Sequence, residues 1–174
     1  MRVIAGEYGG RRLAAPRGDA TRPTADRVRE ALFSVLGDVT NMTVLDLFAG
    51  SGALGIEALS RGARSAVFVE RARPAMTALK ANLAALGIEA EVHGGDARAF
   101  VRNASAAGRT YDLVFVDPPY RDAERLGREL DVATVIAPQG RLVVESDRRA
   151  PFATDLPVLF ERRYGDTVIR IHGH

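Results

Sequence analysis

The chain has 174 residues, of which 47% are hydrophobic and 26% are charged, and this is the composition of an ordinary globular protein with one sizeable core. No apolar run reaches membrane-spanning length, and Arg11 and Arg12 interrupt the N-terminus before a secretory apolar region could form, so we expect a cytoplasmic protein with no membrane partner. The sequence contains no cysteine, which excludes disulfides, thiolate metal sites and cysteine nucleophiles, and no metal ligand is predicted.

Residues 1–37 predict an N-terminal extension made of a short hairpin and one helix. Residues 2–13 have the pattern of a hairpin with Gly9-Gly10 near its turn. Pro23 and Thr24 then open a helix, and Thr24 is its expected N-cap because a hydroxyl at that position can accept a backbone N–H.

The extension also carries a basic cluster. Residues 1–18 contain one acid, Glu7, and four arginines, Arg2, Arg11, Arg12 and Arg17. Guanidinium groups suit phosphate because they offer a planar fork of donors. Arg11, Arg12 and Arg17 are therefore candidate nucleic-acid contacts, and an ordinary solvated basic surface remains the alternative.

From residue 43 onward the pattern alternates between strand and helix. The predicted strands are 43–48, 65–70, 88–94, 111–116 and 140–146, and the predicted helices are 51–61, 75–86, 97–106 and 121–136. Two further strands, 157–162 and 166–171, follow without a helix between them and indicate an antiparallel edge. Residues 38–174 therefore predict one compact α/β unit, a doubly wound and mainly parallel seven-stranded Rossmann-like sheet.

The first strand of this unit runs into a glycine-rich loop. Gly50, Gly52 and Gly55 match the glycine spacing of dinucleotide-binding loops, and Glu70 follows at the distance expected of a ribose-binding acid. This pattern alone is typical of a nicotinamide-dependent enzyme.

Asp46, inside the first strand, argues for a different ligand. A carboxylate beside a bound pyrophosphate adds like-charge repulsion, whereas a cationic ligand is stabilised by it. S-adenosylmethionine carries a sulfonium and an ammonium group, and its ribose hydroxyls could donate to Glu70. The alternative for Asp46 is a structural contact with a neighbouring helix N-terminus.

A third acid, Asp96, follows the third strand of the unit. Its carboxylate or a nearby backbone N–H could meet the adenine ring of the cofactor. Asp96 is also placed to cap the helix that follows, and the two roles are compatible. Because strands of a parallel sheet end at one edge, these acids are expected to meet there.

The fourth strand ends in "DPPY", residues 117–120. An exocyclic amine of a purine is a poor nucleophile because its lone pair is delocalised into the ring. The Asp117 side chain and the Pro118 carbonyl could accept its two N–H groups, and the stiffness of Pro118-Pro119 keeps that carbonyl aimed. Tyr120 offers a face on which a flipped base can stack, worth about 1–3 kcal/mol. The alternative is a strand end simply marked by prolines.

The absence of cysteine narrows the chemistry further. Methylation of a pyrimidine at C5 ordinarily requires a thiolate adduct, so that reaction is excluded. Methylation of an exocyclic amine requires no such thiolate, so this reaction stays compatible with the sequence.

At these residues the chain resembles a known family. "DLFAGSGALGIEALSRGA" (46–63) is similar to the first motif of class I S-adenosylmethionine-dependent methyltransferases, and "DPPY" is similar to the signature of those that methylate exocyclic amines. "GRRLAAP" (10–16) and "RPTADRVREALFSVL" (22–36) resemble the RsmD family, the bacterial enzymes that methylate guanine N2 in 16S ribosomal RNA.

The resemblance implies roles for particular residues. The cofactor site would consist of Arg22, Thr24, Asp46, Phe48, Gly50, Gly52, Glu70, Asp96 and Ala97. The catalytic residues would be Asp117, Pro118, Pro119 and Tyr120. Arg22 could also pair with the carboxylate of the cofactor.

The function expected from the resemblance is methyl transfer from S-adenosylmethionine to guanine N2 of 16S RNA. The partner would be 16S RNA within an assembled small ribosomal subunit, and the enzyme would be a monomer. Within the same chemistry the alternative is an adenine-N6 DNA methyltransferase, although the chain has little room for the recognition region that such enzymes commonly need. From another class, a nicotinamide-dependent reductase would leave Asp46 and "DPPY" unexplained.

Overall fold

The computed structural model describes residues 1–15, 23–118, 123–149 and 151–173, without the side chains of residues 23–25. The helices are α1 (Pro23–Leu36), α2 (Ala53–Ser60), α3 (Arg73–Leu86), α4 (Ala97–Ala106) and α5 (Ala123–Glu129), followed by a 3₁₀ turn at Val132–Val135. The strands are β1 (Thr43–Leu47), β2 (Ser65–Glu70), β3 (Glu91–Gly94), β4 (Tyr111–Val116), β5 (Ile136–Asp147), β6 (Val158–Tyr164) and β7 (Thr167–Gly173).

The predicted N-terminal hairpin is present. Arg2 and Arg12 form an antiparallel bridge. The N–H of Val3 donates to the carbonyl oxygen of Arg11 at 3.0 Å, and the carbonyl oxygen of Val3 accepts the N–H of Gly10 at 2.9 Å. The turn packs against the end of α2, where a Cβ at Gly6 would lie only 1.7 Å from the carbonyl oxygen of Ser60. Glycine is required at that point because the two backbones touch.

α1 begins at Pro23, so Thr24 lies within its first turn and the prediction of Thr24 as N-cap is wrong. Proline suits the first helical position, since its φ is already helical and its missing N–H would have no partner there. Leu32, Phe33 and Leu36 of α1 are buried in the core.

One seven-stranded sheet organises the chain, in the order β3-β2-β1-β4-β5-β7-β6. The first five strands in this order are parallel, and β7 pairs antiparallel with both β5 and β6. Both faces are covered: Phe68 and Phe115 belong to the core with α1, α2 and α3, while Val69 and Val114 belong to the core with α4 and α5. The predicted doubly wound fold with an antiparallel edge is confirmed.

The region after β4 differs from its prediction. The helix expected over 121–136 ends at Glu129, and β5 begins at Ile136 rather than at residue 140. Val132, Val135 and Ile136 fit a helical apolar spacing, but β-branched side chains also favour extended structure. A register shift between Tyr111 and Leu113 of β4 accommodates the early start of β5.

β1 lies at the switch point of the sheet, with β2 on one side and β4 on the other. In such sheets a crevice opens beyond the carboxyl ends of these central strands. We call this side of the sheet the catalytic edge, defined by residues 48–52, 70–72, 95–97 and 117–118. Among the helices that the structure describes, none is long and apolar enough to span a bilayer.

Candidate cofactor and active site

A cavity of about 490 Å³ lies at the catalytic edge. Of the residues predicted for the site, those that line it are Phe48, Gly50, Glu70, Asp96, Ala97, Asp117 and Pro118. The lining residues that the sequence analysis missed are Val69, Arg71, Ala72, Ala75, Gly95, Arg98, Arg125 and Leu126. Several of these adjoin predicted residues along the chain, whereas Arg125 and Leu126 arrive through the packing of α5, which leaves no local signal.

The glycine loop meets the cavity at Gly50. Gly50 has φ +58°, and a Cβ there would have only the carbonyl oxygen of Phe48 within reach, at 4.0 Å. Phe48 also has positive φ, at +68°, which is uncommon for a residue with a side chain. The loop therefore turns sharply and leaves open space on its cavity side.

Glu70 fixes this loop to the end of β2. Its Oε2 accepts the N–H of Gly50 at 2.8 Å and its Oε1 accepts the N–H of Ala72 at 2.6 Å. Each carboxylate oxygen can accept a second hydrogen bond. Glu70 can therefore hold the loop and still bind a ligand hydroxyl in the cavity.

The other two glycines of the loop serve packing. A Cβ at Gly52, where φ is +84°, would lie 2.5 Å from Leu79 Cδ1, and a Cβ at Gly55 would lie 2.3 Å from the ring of Phe68. Neither glycine lines the cavity. They let α2 approach the sheet and α3 closely, so the glycine spacing reflects helix packing as well as ligand access.

Asp46 lies behind the loop and is 2% exposed. Its Oδ2 accepts the N–H of Gly55, in the first turn of α2, at 2.9 Å, which is the structural contact considered from the sequence. Burial raises the pKa of Asp46 to about 7, with the charge of Glu70 adding to the rise and the Gly55 hydrogen bond opposing it. A cation at the catalytic edge would favour the ionised form.

Asp117 follows β4 and is half-buried in the cavity wall beside the buried Pro118. Burial raises the pKa of Asp117 well above its usual range, and the charges of Glu145 and Asp46 add to the rise. Glu145 stands next to it on β5, because Val116 pairs with Val144. Glu145 was not among the predicted site residues, although it also lies near the end of a predicted strand.

Asp96 is the N-cap of α4, one of its two predicted roles. It accepts the N–H groups of Arg98 at 2.9 Å and Ala99 at 3.4 Å. The Arg98 guanidinium binds the same carboxylate and holds its pKa well below the usual range. Among the described residues only Arg98 donates to Oδ2, so this oxygen keeps capacity for a ligand donor.

Asn82, a buried residue of α3, joins the N-terminal extension to the glycine loop. Its side chain accepts the N–H of Ala14 at 2.7 Å and donates to the carbonyl oxygens of Ala14 at 3.0 Å and Ser51 at 2.9 Å. Sequence reasoning could not find this role, because a single asparagine in a helical pattern has many possible partners.

The predicted basic cluster is only partly described. Arg11 donates to the carbonyl oxygen of Ala85 at 3.3 Å, near the C-terminal end of α3. Since α3 starts at the catalytic edge and runs away from it, this guanidinium lies toward the other end of the parallel strands, at their amino-terminal ends. Arg12 is exposed in the hairpin.

The remaining predicted residues, Arg17, Arg22, Pro119 and Tyr120, lie outside the described residues. The side chain of Thr24 is not described either, and only its backbone position in α1 is known.

Known proteins are similar to this chain in both sequence and fold. The family model described as conserved hypothetical protein 95 matches residues 1–173. The protein named ribosomal RNA small subunit methyltransferase D from Escherichia coli is 44% identical over 122 residues, which cover 70% of this chain and 61% of that protein. The protein of the same name from Haemophilus influenzae is 36% identical over 159 residues, covering 88% of this chain and 82% of that one.

A solved structure extends the match to the whole fold. A hypothetical protein from Thermus thermophilus superposes with a TM-score of 0.86 at 31% identity, over 100% of this chain and 99% of that chain. The resemblance noted in the sequence is thus confirmed at the level of the family: the chain belongs to the RsmD family of S-adenosylmethionine-dependent ribosomal RNA methyltransferases.

Proposed function

We propose that this chain transfers a methyl group from S-adenosylmethionine to the exocyclic N2 of a guanine in the 16S RNA of the small ribosomal subunit. The observation that carries the reaction type is the position of Asp117 and Pro118 in the wall of the carboxylate-rich cavity. The choice of guanine N2 is inferred from the family resemblance.

The residues of the cavity fit the cofactor. Glu70 would accept from the ribose hydroxyls, and Asp96 with the backbone of Ala97 would meet the adenine ring. Gly50 leaves room for close approach, since a Cβ there would meet nothing nearer than 4.0 Å. When bound, the cofactor supplies a methyl group activated by its positive sulfonium.

The charge of the site favours a cation. At the carboxyl ends of β1, β4 and β5, the charges of Glu145 and Asp46 add to the rise that burial causes in the pKa of Asp117, and the charge of Glu70 adds to the rise in the pKa of Asp46. A positive ligand at this point would offset that repulsion and restore the ionised carboxylates. A pyrophosphate would add to the repulsion, which argues against a nicotinamide cofactor.

Catalysis would depend on positioning more than on acid–base strength. Asp117 and the carbonyl of Pro118 would each accept one N–H of the guanine amine and leave its lone pair directed at the methyl group. An ionised Asp117 could also take the proton that the amine loses on methylation. Pro119 would restrict the loop, and Tyr120 would stack on the flipped base.

The N-terminal extension, residues 1–37, would complete the site against the unit formed by residues 38–174. Asn82 anchors Ala14 beside the glycine loop. The segment that follows would bring Arg22 and Thr24 to the methionine end of the cofactor. We further propose that the enzyme acts as a monomer in the cytoplasm on an assembled small subunit.

A labelled-cofactor assay tests this function directly. Purified 30S particles from a strain lacking the modification, naked 16S RNA and duplex DNA would each be offered with the wild-type enzyme. We expect incorporation into 16S RNA, greater in the particle, and digestion with mass analysis should give N2-methylguanine. Label on adenine in DNA without label on RNA would replace the proposal by the DNA alternative.

A further inference from the structure

We propose that Arg148 and Arg149, in the turn that ends β5, bind phosphates of the RNA strand that enters the active site. This inference rests on the proposed function and adds an RNA-binding surface that neither the sequence motifs nor the basic N-terminal cluster indicated. We call it the β5 turn, residues 147–149.

The register of the sheet places the β5 turn next to the catalytic edge. Val116 pairs with Val144, so Asp117 stands level with Glu145. β5 then continues in the same direction to Asp147, its last residue. Asp147 follows Glu145 by two residues, so at about 3.3 Å per residue the turn begins roughly 7 Å beyond the level of Asp117. Phosphates of nucleotides next to a target base can span that distance.

The backbone of the turn is held in place. The N–H of Arg148 donates to the carbonyl oxygen of Asp166 at 2.9 Å, and the N–H of Arg149 donates to Oδ1 of Asp147 at 2.7 Å. The first contact ties the turn to the β6–β7 hairpin. The two guanidinium groups therefore extend from a fixed base, which lowers the entropy that is lost when they bind a ligand.

The β5 turn carries two positive charges that are exposed to solvent and could bind phosphate. Arg148 and Arg149 are exposed, and within the described ranges neither guanidinium lies within 4.0 Å of a carboxylate. The neighbouring Arg163 and Arg170 differ, since both pair with Glu161, at 3.1 and 2.8 Å. Asp147 and Asp166 lower the local net charge, but these two contacts engage only backbone N–H groups of the turn: Oδ1 of Asp147 accepts from Arg149, and the carbonyl oxygen of Asp166 accepts from Arg148.

The described part of the basic N-terminal cluster, Arg11 and Arg12, is less well placed to bind phosphates of RNA that enters the active site. Arg11 is engaged with the C-terminal end of α3, away from the catalytic edge. A phosphate-binding group must lie on the side from which the base enters. Arg148 and Arg149 meet that condition, whereas Arg11 does not.

The test compares the double variant Arg148→Ala/Arg149→Ala with the control Arg64→Ala/Arg102→Ala. The control removes the same charge from exposed sites, just before β2 and on α4. Binding to unmodified 30S particles and to naked 16S RNA would be measured from 50 to 250 mM salt. Two lost phosphate contacts should reduce the slope of log affinity against log salt by about 1.4, with affinity at low salt falling about tenfold.

Affinity for S-adenosylhomocysteine should be unchanged in both variants, which separates RNA binding from damage to the cofactor site. A salt slope equal to that of the control would overturn the inference. Weaker binding to the particle with an unchanged slope would also overturn it, because it would point to a ribosomal protein as the partner. Absence of any methylation of 16S RNA by the wild-type enzyme would instead refute the proposed function.

Discussion

The guanidinium of Arg98 binds Asp96 through two hydrogen bonds, from Nε to Oδ1 at 3.0 Å and from Nη2 to Oδ2 at 2.8 Å. Its remaining nitrogen, Nη1, donates to Glu129 at the end of α5, at 2.6 Å. One arginine thus orients the acid at the proposed adenine site and ties it to the helix that follows "DPPY". The proposed cofactor and substrate sides of the cavity are therefore joined by this contact.

We expect Arg98→Ala to weaken binding of S-adenosylhomocysteine about fivefold, as measured by calorimetry. The effect is modest because the Arg98 pairs are partly exposed, and such pairs contribute roughly 1 kcal/mol or less. Arg102→Ala, on the same helix and exposed, is the matched control and should leave affinity unchanged. Equal affinities for the two variants would contradict the positioning role of Arg98.

Asp117→Ala should abolish methyl transfer to 16S RNA while leaving affinity for S-adenosylhomocysteine within a few-fold. The variant loses one of the two acceptors proposed for the guanine amine. Asp112→Ala is the control, because Asp112 lies on the same strand at the opposite edge, where it accepts from Thr43 at 2.7 and 2.8 Å. That variant should be less stable but active. A fully active Asp117→Ala enzyme would discredit the role assigned to this acid.

The buried Asp46 should make stability depend on pH. Burial raises its pKa to about 7 in the folded protein from 3.8 for an unperturbed aspartate, so between these pH values the folded state holds a proton that the unfolded chain has lost. Stability from this group is therefore greatest below pH 4 and falls as pH rises to 7, by at most about 1.4 kcal/mol per pH unit.

Asp46→Asn removes that titration and keeps the shape of the side chain. In urea unfolding at pH 5, 6 and 7 without cofactor, the variant should gain stability relative to the wild type as pH rises. With S-adenosylmethionine present, the wild type should recover the difference, because the cation favours the carboxylate. A constant difference across this pH range would show that Asp46 is ionised throughout.

The sequence predicted the sheet well because its signals are local. Continuous apolar strands, strand-end acids and the glycine loop each occupy a few residues, and parallel topology gathers them at one edge. The helix–strand boundary near Ile136 was misplaced, because β-branched residues at helical spacing satisfy both patterns.

Side-chain partners were harder to predict. The pairing of Arg98 with Asp96, the adjacency of Glu145 to Asp117 and the contact of Arg11 with α3 depend on tertiary packing and rotamers. The basic composition of the N-terminus did not show that Arg11 lies near the C-terminal end of α3, away from the catalytic edge. A run of arginines in the sequence does not show which end of the sheet their side chains will lie near, because that depends on the fold.

Two loop glycines with positive φ should respond differently to alanine. Gly52→Ala should lower the free energy of unfolding by about 2–3 kcal/mol, since its Cβ would lie 2.5 Å from Leu79 Cδ1. Gly50→Ala should cost about 1 kcal/mol, from backbone strain alone, but weaken S-adenosylhomocysteine binding at least tenfold by filling cavity space. Denaturant unfolding and calorimetry together check both. Identical effects on stability would contradict the packing role of Gly52.

Glu57 joins the N-terminal hairpin to the rest of the chain. It is fully buried, and it accepts the N–H groups of Ile4 at 2.7 Å and Ala5 at 3.1 Å and the Nε of Arg61 at 2.8 Å. Its other cation, Arg29, is buried as well, at 3.7 Å. Removing the acid would leave these donors and charges without their partner in a region with little water.

Glu57→Ala should therefore lower the free energy of unfolding by about 3 kcal/mol, as for other broken buried ion pairs. Hydrogen exchange should show residues 2–13 losing protection first, because the hairpin is held at this point. Glu124→Ala, which breaks an exposed pair with Arg128, is the control and should cost about 0.5 kcal/mol or less. If both variants were equally stable, the hairpin would have to be held by its apolar contacts, and the extension would not depend on Glu57 for its attachment to the methyltransferase unit.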